Sequence, residues 1–286
     1  MTNPNHARLT SRGPAALAGL TLAALALTGC AAPAPTSAAD SGGPVFAHVH
    51  GLGVDPADGA IQVASHDGLF QSGPDGLVPA GVPGRDLMGF TITGPGPYLS
   101  SGHPAPGDDL PNPLGLVETR DGGTTWTPLS LTGEVDFHAL DVSQGTVFGY
   151  DATNGLLRAS TDGGRSWEDR AELEALDIAV DPAEPARVLA TTAGGVVAST
   201  DGGRSFGAPS GPQLAYLSWG PDGVVHGLDT GSTVFTSRDG GSTWQQAGTA
   251  PGGRPQAITA TDDVLLVATA GGVYRSDDGR TFASVG

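Results

Sequence analysis

The sequence predicts an all-β fold, a six-bladed β-propeller of four-stranded antiparallel blades, and three observations carry that prediction. One short motif recurs at nearly even spacing, its aspartates standing at positions 75, 121, 162, 201, 239 and 278. A period of about forty residues suits a unit of four short strands, which buries its apolar faces only by stacking on copies of itself. Composition agrees, because 46 Gly and 23 Pro with only 15% charged residues favour short strands and turns over helices. Between motifs one order repeats: an apolar strand, a DP or PDG turn, a second strand, a tight loop, and a strand leading into the next motif.

Residues 1–29 are expected to be removed. Arg8 and Arg12 precede PAALAGLTLAALAL (14–27), a positive segment followed by an apolar run too short for a comfortable membrane span. Leu27-Thr28-Gly29-Cys30 resembles the bacterial lipobox, which implies that Cys30 is lipidated and becomes the mature N-terminus. Cys30 is the only cysteine, so no intrachain disulfide can form. Residues 30–44 read as the lipidated Cys and a flexible Pro/Ala/Ser linker, and 45–286 as a single propeller. The expected location is extracytoplasmic and membrane-anchored.

The six blades follow in order, each opened by its inner strand. Blade one starts with AHVHGLGV and carries a worn motif, SGPDG (72–76), without an aromatic. Blade two starts with DLMGFTI and ends in TRDGGTTW (119–126); blade three pairs DFHALDV with STDGGRSW (160–167). Blade four pairs EALDIAV with STDGGRSF (199–206), and blade five QLAYLSW with SRDGGSTW (237–244). Blade six starts with RPQAITA, has the shortened SDDGRTF (276–282) and closes on FASV.

In the motif, Asp accepts hydrogen bonds from its own turn, Gly-Gly supplies positive φ, and the Ser/Thr hydroxyls tie off remaining groups. The Trp or Phe then opens the last strand and buries its ring between sheets. Asp121, Asp162, Asp201, Asp239 and Asp278 are therefore expected to be structural. These copies resemble the Asp-box, or BNR, repeat of sialidases, sortilin-type receptors and secreted bacterial propellers, some labelled glycosyl hydrolase. The resemblance covers residues 45–286. It implies a propeller with the boxes on the face away from the binding site.

Aligning the inner strands yields two rows at the entrance of the central channel. The first is His48, Asp86, Asp136, Glu174, Gln213 and Arg254; the second, two residues on, is His50, Met88, His138, Leu176, Ala215 and Gln256. The loops between second and third strands add His66 and His103 at the same end. Imidazole and thioether suit borderline or soft metals, so His48, His50, Met88, His138, His66 and His103 form a candidate copper or zinc set. Asp86, Asp136 and Glu174 are alternative catalytic residues for a glycosidase, which needs two suitably spaced carboxyl groups. The sialidase pattern itself is not met: only Arg85 and Arg254 stand near the mouth, and Tyr150 and Tyr216 have no evident Glu partner. Loop 102–115, GHPAPGDDLPNPLG, is placed as a lid or specificity loop on this face.

Formal charge is −17 and becomes −19 without the first 29 residues, with 11 Arg against 30 acids and no lysine. A polyanion of that size repels nucleic acid and anionic headgroups and attracts cations. The expected protein is a monomeric, lipid-anchored binding propeller, its partner a metal ion, a glycan or a surface protein, with a non-sialidase exo-glycosidase as the alternative.

Overall fold

The computed structural model describes residues 46–286; the signal peptide, Cys30 and the linker lie outside the described residues. Blade one comprises β1 (Val49–Val54), β2 (Ile61–Ser65), β3 (Gly68–Gly73) and β4 (Gly76–Ala80). Blade two comprises β5 (Asp86–Ile92), β6 (Tyr98–His103), β7 (Leu116–Thr119) and β8 (Thr127–Ser130). Blade three comprises β9 (Phe137–Ser143), β10 (Thr146–Asp151), β11 (Leu156–Ser160) and β12 (Glu168–Glu172). Blade four comprises β13 (Ile178–Val180), β14 (Val188–Thr192) and β15 (Gly195–Ser199). Blade five comprises β16 (Tyr216–Trp219), β17 (Val225–Leu228), β18 (Thr233–Ser237) and β19 (Gln245–Thr249). Blade six comprises β20 (Pro255–Ala260), β21 (Leu265–Thr269), β22 (Gly272–Ser276) and β23 (Ala283–Ser284).

This is a six-bladed β-propeller of antiparallel blades, each built from consecutive strands running from the channel outwards. In blade four the outermost place is filled by a single bridge, Val196 to Ser210. The segment there reads GAPSGP (207–212), and its two prolines cannot donate to a longer ladder.

One apolar cluster fills each gap between neighbouring blades. Trp126 packs with Ala64, Leu69, Leu87, Phe90 and Tyr98 between blades one and two. Trp167 joins the gap between blades two and three, its ring 4.7 Å from that of Phe137. Phe206, Trp244 and Phe282 do the same at the next three gaps. The motif aromatic thus glues each blade to the one before it. Blade one lacks that aromatic, and the ring closes instead on Phe46, Val49, Leu52, Val63 and Leu77 against Ala257, Leu266, Ala268 and Val273 of blade six.

The motif turns form as the residues dictate. Asp162 accepts from Ser160 Oγ (2.7 Å), Arg165 N (3.0 Å), Ser166 N (2.9 Å) and Ser166 Oγ (2.6 Å). Those bonds favour the ionised form and hold its carboxyl well below the usual range. The second glycine has a further duty. Gly164 has φ 87°, and a Cβ there would lie 2.3 Å from Leu116 Cδ2 of the preceding blade.

Candidate functional site

The six inner strands line a central channel holding a cavity of about 480 Å³. Their entrances share one irregularity. In blades one, two, three and six the register shifts at His50, at Met88–Gly89, at His138 and at Gln256. In blades four and five, Leu176 N donates to Thr191 O and Ala215 N to Leu228 O, although Thr191 N bonds Asp177 O and Leu228 pairs with Tyr216. Each is a bulge, two residues against one, which re-aims the side chains beside it. The second row of the alignment is therefore the row of bulged residues, with the first row just ahead of it.

Blade one and the first residue of blade two bring three of these side chains together. His50 Nε2 lies 3.4 Å from His66 Nδ1 and 3.5 Å from Asp86 Oδ1, and His66 Nδ1 lies 2.7 Å from Asp86 Oδ2. The ligand-type atoms of His50, His66 and Asp86 all fall within 4.8 Å of one another. His48 completes the wall, its ring 4.6 Å from His50 and 5.7 Å from His66. Burial, then the neighbouring imidazoles, press the His50 pKa down to about 3, so this ring is neutral and can offer a lone pair. The His48 pKa is lowered too, by burial first and then by His66 and Arg254. Asp86 Oδ1 is buried with no hydrogen-bond partner.

The donor set fits a metal ion. A tetrahedral zinc with bonds of about 2.0–2.1 Å places its ligand atoms about 3.3 Å apart. The 3.4 Å and 3.5 Å separations around His50 Nε2 already match that edge. The 2.7 Å His66 contact is made by the other carboxylate oxygen, Asp86 Oδ2, so binding through one oxygen requires the carboxylate to turn, and that contact would have to open by about 0.6 Å on that geometry.

A second group stands one blade further round. His138 Nε2 donates to Asp136 Oδ2 at 2.9 Å, and His103 Nε2 lies 3.4 Å from the same oxygen. Asp136 is buried and its Oδ1 has no hydrogen-bond partner. Loop 102–115 is fastened to its surroundings by Arg85 Nη2 to Asp108 Oδ2 (3.1 Å) and by Gly133 N donating to Pro113 O (2.8 Å), while His103 Nδ1 to Asn112 Oδ1 (2.6 Å) ties the loop to itself. It forms a pinned wall of the mouth.

Deeper in the channel two carboxylates staple neighbouring inner strands. Asp141 accepts from Val142 N (2.7 Å) and from Val180 N of blade four (2.7 Å). Asp177 accepts from Ile178 N (2.9 Å) and from Leu217 N of blade five (2.8 Å). Burial outweighs these bonds and raises the pKa of Asp141 to about 6 and of Asp177 to about 7.

The remaining predicted residues scatter. Met88 occupies the blade-two bulge. Glu174 is exposed and makes no hydrogen bond or ion pair among the described residues. Leu176 is 55% exposed at the channel, Ala215 is buried, and Gln256 Oε1 accepts from Val49 N at 3.0 Å, sealing the ring. Asn112, Asp141 and Asp177 escaped the sequence reading. An aspartate inside the apolar runs DFHALDV and EALDIAV was the signal for the last two.

Fold and site together define a β-propeller with a histidine–carboxylate mouth, and the solved structures it resembles are propellers of several activities. No protein-family model and no curated protein matches the chain. An ancestral GH74 enzyme is similar at 15% identity with a TM-score of 0.55, over 84% of this chain and 38% of that one. The GH74 xyloglucanase of Xanthomonas campestris is similar at 20% identity and 0.54, with the same coverages of 84% and 38%. Virginiamycin B lyase from Staphylococcus aureus is similar at 14% identity and 0.57, over 82% of this chain and 83% of that one. This chain thus spans 38% of the length of the two GH74 chains. At such identities the likeness is one of fold.

Proposed function

We propose that this protein is a monomeric, lipid-anchored, extracytoplasmic binding propeller of the Asp-box type whose channel mouth takes a borderline transition metal, zinc or copper, on His50, His66 and Asp86. The observation that carries the reading is the convergence of those three side chains, from two blades, within 4.8 Å. Two imidazoles and a carboxylate are a donor set that such ions accept. The neutral His50 ring and the unpartnered Asp86 Oδ1 support it, and a net charge of −17 would concentrate cations at the surface. Three protein ligands leave a fourth position open to water or to a second ligand entering from the mouth.

The test is zinc and copper titration of the purified protein beside its His66→Ala variant. The reading expects about one ion per protein bound by this set and lost in the variant. Binding that survives unchanged in His66→Ala overturns it.

Glycoside hydrolysis by Asp86, Asp136 and Glu174 is the competing reading, favoured by the position of the two aspartates on neighbouring blades. Against it, histidines contact both aspartates and Glu174 stands apart. Turnover of aryl glycosides that vanishes in Asp136→Asn would reverse the order of preference.

A further inference from the structure

We infer that the second ligand this mouth receives is a small organic carboxylate, its head held between the metal's open position and Arg254 and its body laid against Leu176. The inference rests on the metal reading of the mouth and names what that site takes.

Arg254 supplies the first argument. Ala270 N bonds Arg254 O just as His66 N bonds His48 O, so Arg254 holds in blade six the first-row place that His48 holds in blade one. Gln256 Oε1 accepts from Val49 N at 3.0 Å, which fastens those two strand entrances side by side. The charge of Arg254 is felt on both sides of it. It adds to burial and to His66 in lowering the His48 pKa. At Tyr216 of blade five it opposes burial and Asp177, which raise that pKa to about 12. The other arginine at the mouth, Arg85, is paired with Asp108. Arg254 is exposed, and its side chain makes no hydrogen bond or ion pair among the described residues. A free guanidinium is a planar fork that matches the two oxygens of a carboxylate.

The polarity of the mouth supplies the second. His50 and His66 ligate as neutral imidazoles, so with Asp86 they leave a divalent ion with one positive charge unneutralised. Asp136 is already held by His138 Nε2 at 2.9 Å. The first-row carboxylate without a partner is Glu174 of blade four, and a ring of six blades places blade four opposite blade one. The rim is therefore positive over blades six and one and negative across from them. Such a field draws an anionic head to one side and turns the rest of the ligand towards the other.

Leu176 supplies the third. It holds in blade four the second-row place that His50 holds in blade one, and so stands across the channel from the metal set. Its side chain is 55% exposed, yet it lines the same cavity of about 480 Å³ as His50 and Tyr216. A cavity of that size suits a small molecule, and a hydrocarbon body laid on Leu176 removes apolar surface from water.

The experiment is calorimetric titration of the zinc-loaded protein with hexanoate, acetate and hexan-1-ol, beside Arg254→Gln and Leu176→Asn, with zinc counted after dialysis in each. The inference expects one zinc in all three proteins and hexanoate bound by the wild type. Binding should weaken about tenfold in Arg254→Gln, the scale of one lost charge-assisted hydrogen bond. Leu176→Asn should weaken hexanoate and leave acetate unchanged. A zinc-loaded wild type that ignores hexanoate, or an Arg254→Gln variant that binds it equally well, overturns the inference and leaves the metal site standing. Hexan-1-ol bound as tightly as hexanoate overturns it too, because the head then has no role. A wild type that takes no zinc overturns the metal reading itself, and this inference falls with it.

Discussion

Asp177→Asn tests the channel electrostatics most sharply. Burial raises the carboxyl from its ordinary 3.8 to about 7, so the folded protein holds this proton more tightly than the unfolded chain does. With the folded value above the unfolded one, stability is fully present below about pH 4 and is lost as pH rises to about 7. At about 1.4 kcal/mol per pH unit, that loss amounts to roughly 4 kcal/mol. Asparagine cannot ionise and escapes it. Its amide has one oxygen where the carboxyl has two, so either Ile178 N or Leu217 N loses its acceptor, at about 1–3 kcal/mol. The variant is then less stable than wild type near pH 3, where the carboxyl is protonated in both states, crosses it near pH 5, and is more stable at pH 8. Urea unfolding midpoints followed by tryptophan fluorescence at half-unit steps of pH measure both curves. Parallel curves, with a constant gap from pH 5 to pH 8, would refute the assignment of a buried, proton-retaining carboxyl to Asp177.

Other outcomes follow from the same geometry. Asp201 accepts from Ser199, Arg204 and Ser205, and these bonds hold its pKa low. With the folded value below the unfolded one, its contribution is present above about pH 4 and lost in acid, so Asp201→Asn lowers the melting temperature at pH 7 more than at pH 2. Gly203→Ala should cost about 1–3 kcal/mol, because its φ is 76° and the new Cβ would stand 2.3 Å from Leu157 Cδ2; equal denaturant midpoints would disprove the tight seam between blades three and four. Zinc at a hundredfold excess over its dissociation constant is worth about 2.7 kcal/mol. For residues 46–286, with an unfolding entropy of about 2.1 cal/mol/K per residue, that is a rise of about 5 °C in Tm, and His66→Ala should abolish it.

The blades were legible in the residue pattern. Asp, Gly-Gly, Ser/Thr and an aromatic in fixed order make a hairpin turn whose hydrogen bonds and φ angles are local, so Asp121, Asp162, Asp201, Asp239 and Asp278 could be placed from their neighbours alone. Six such periods fixed the architecture, and the equal run from each first-row residue to the bulge behind it kept the two rows in register. Blade four shows where local reading weakens, since Pro209 and Pro212 reduce its outer strand to one bridge. Which side chains meet depended on the packing of the blades. His66 passes over its own strand partner, His48, to contact Asp86, and His103 likewise reaches Asp136; both contacts cross between blades. Their distances depend on how neighbouring sheets twist and pack, which no turn or strand pattern encodes. The same holds for Asp141 and Asp177, whose second acceptor bonds run to backbone amides of the next blade. Hydrogen-bond and packing partners nearly forty residues apart are chosen by ring closure, and only closure turned scattered histidines and aspartates into a mouth with a converged donor set.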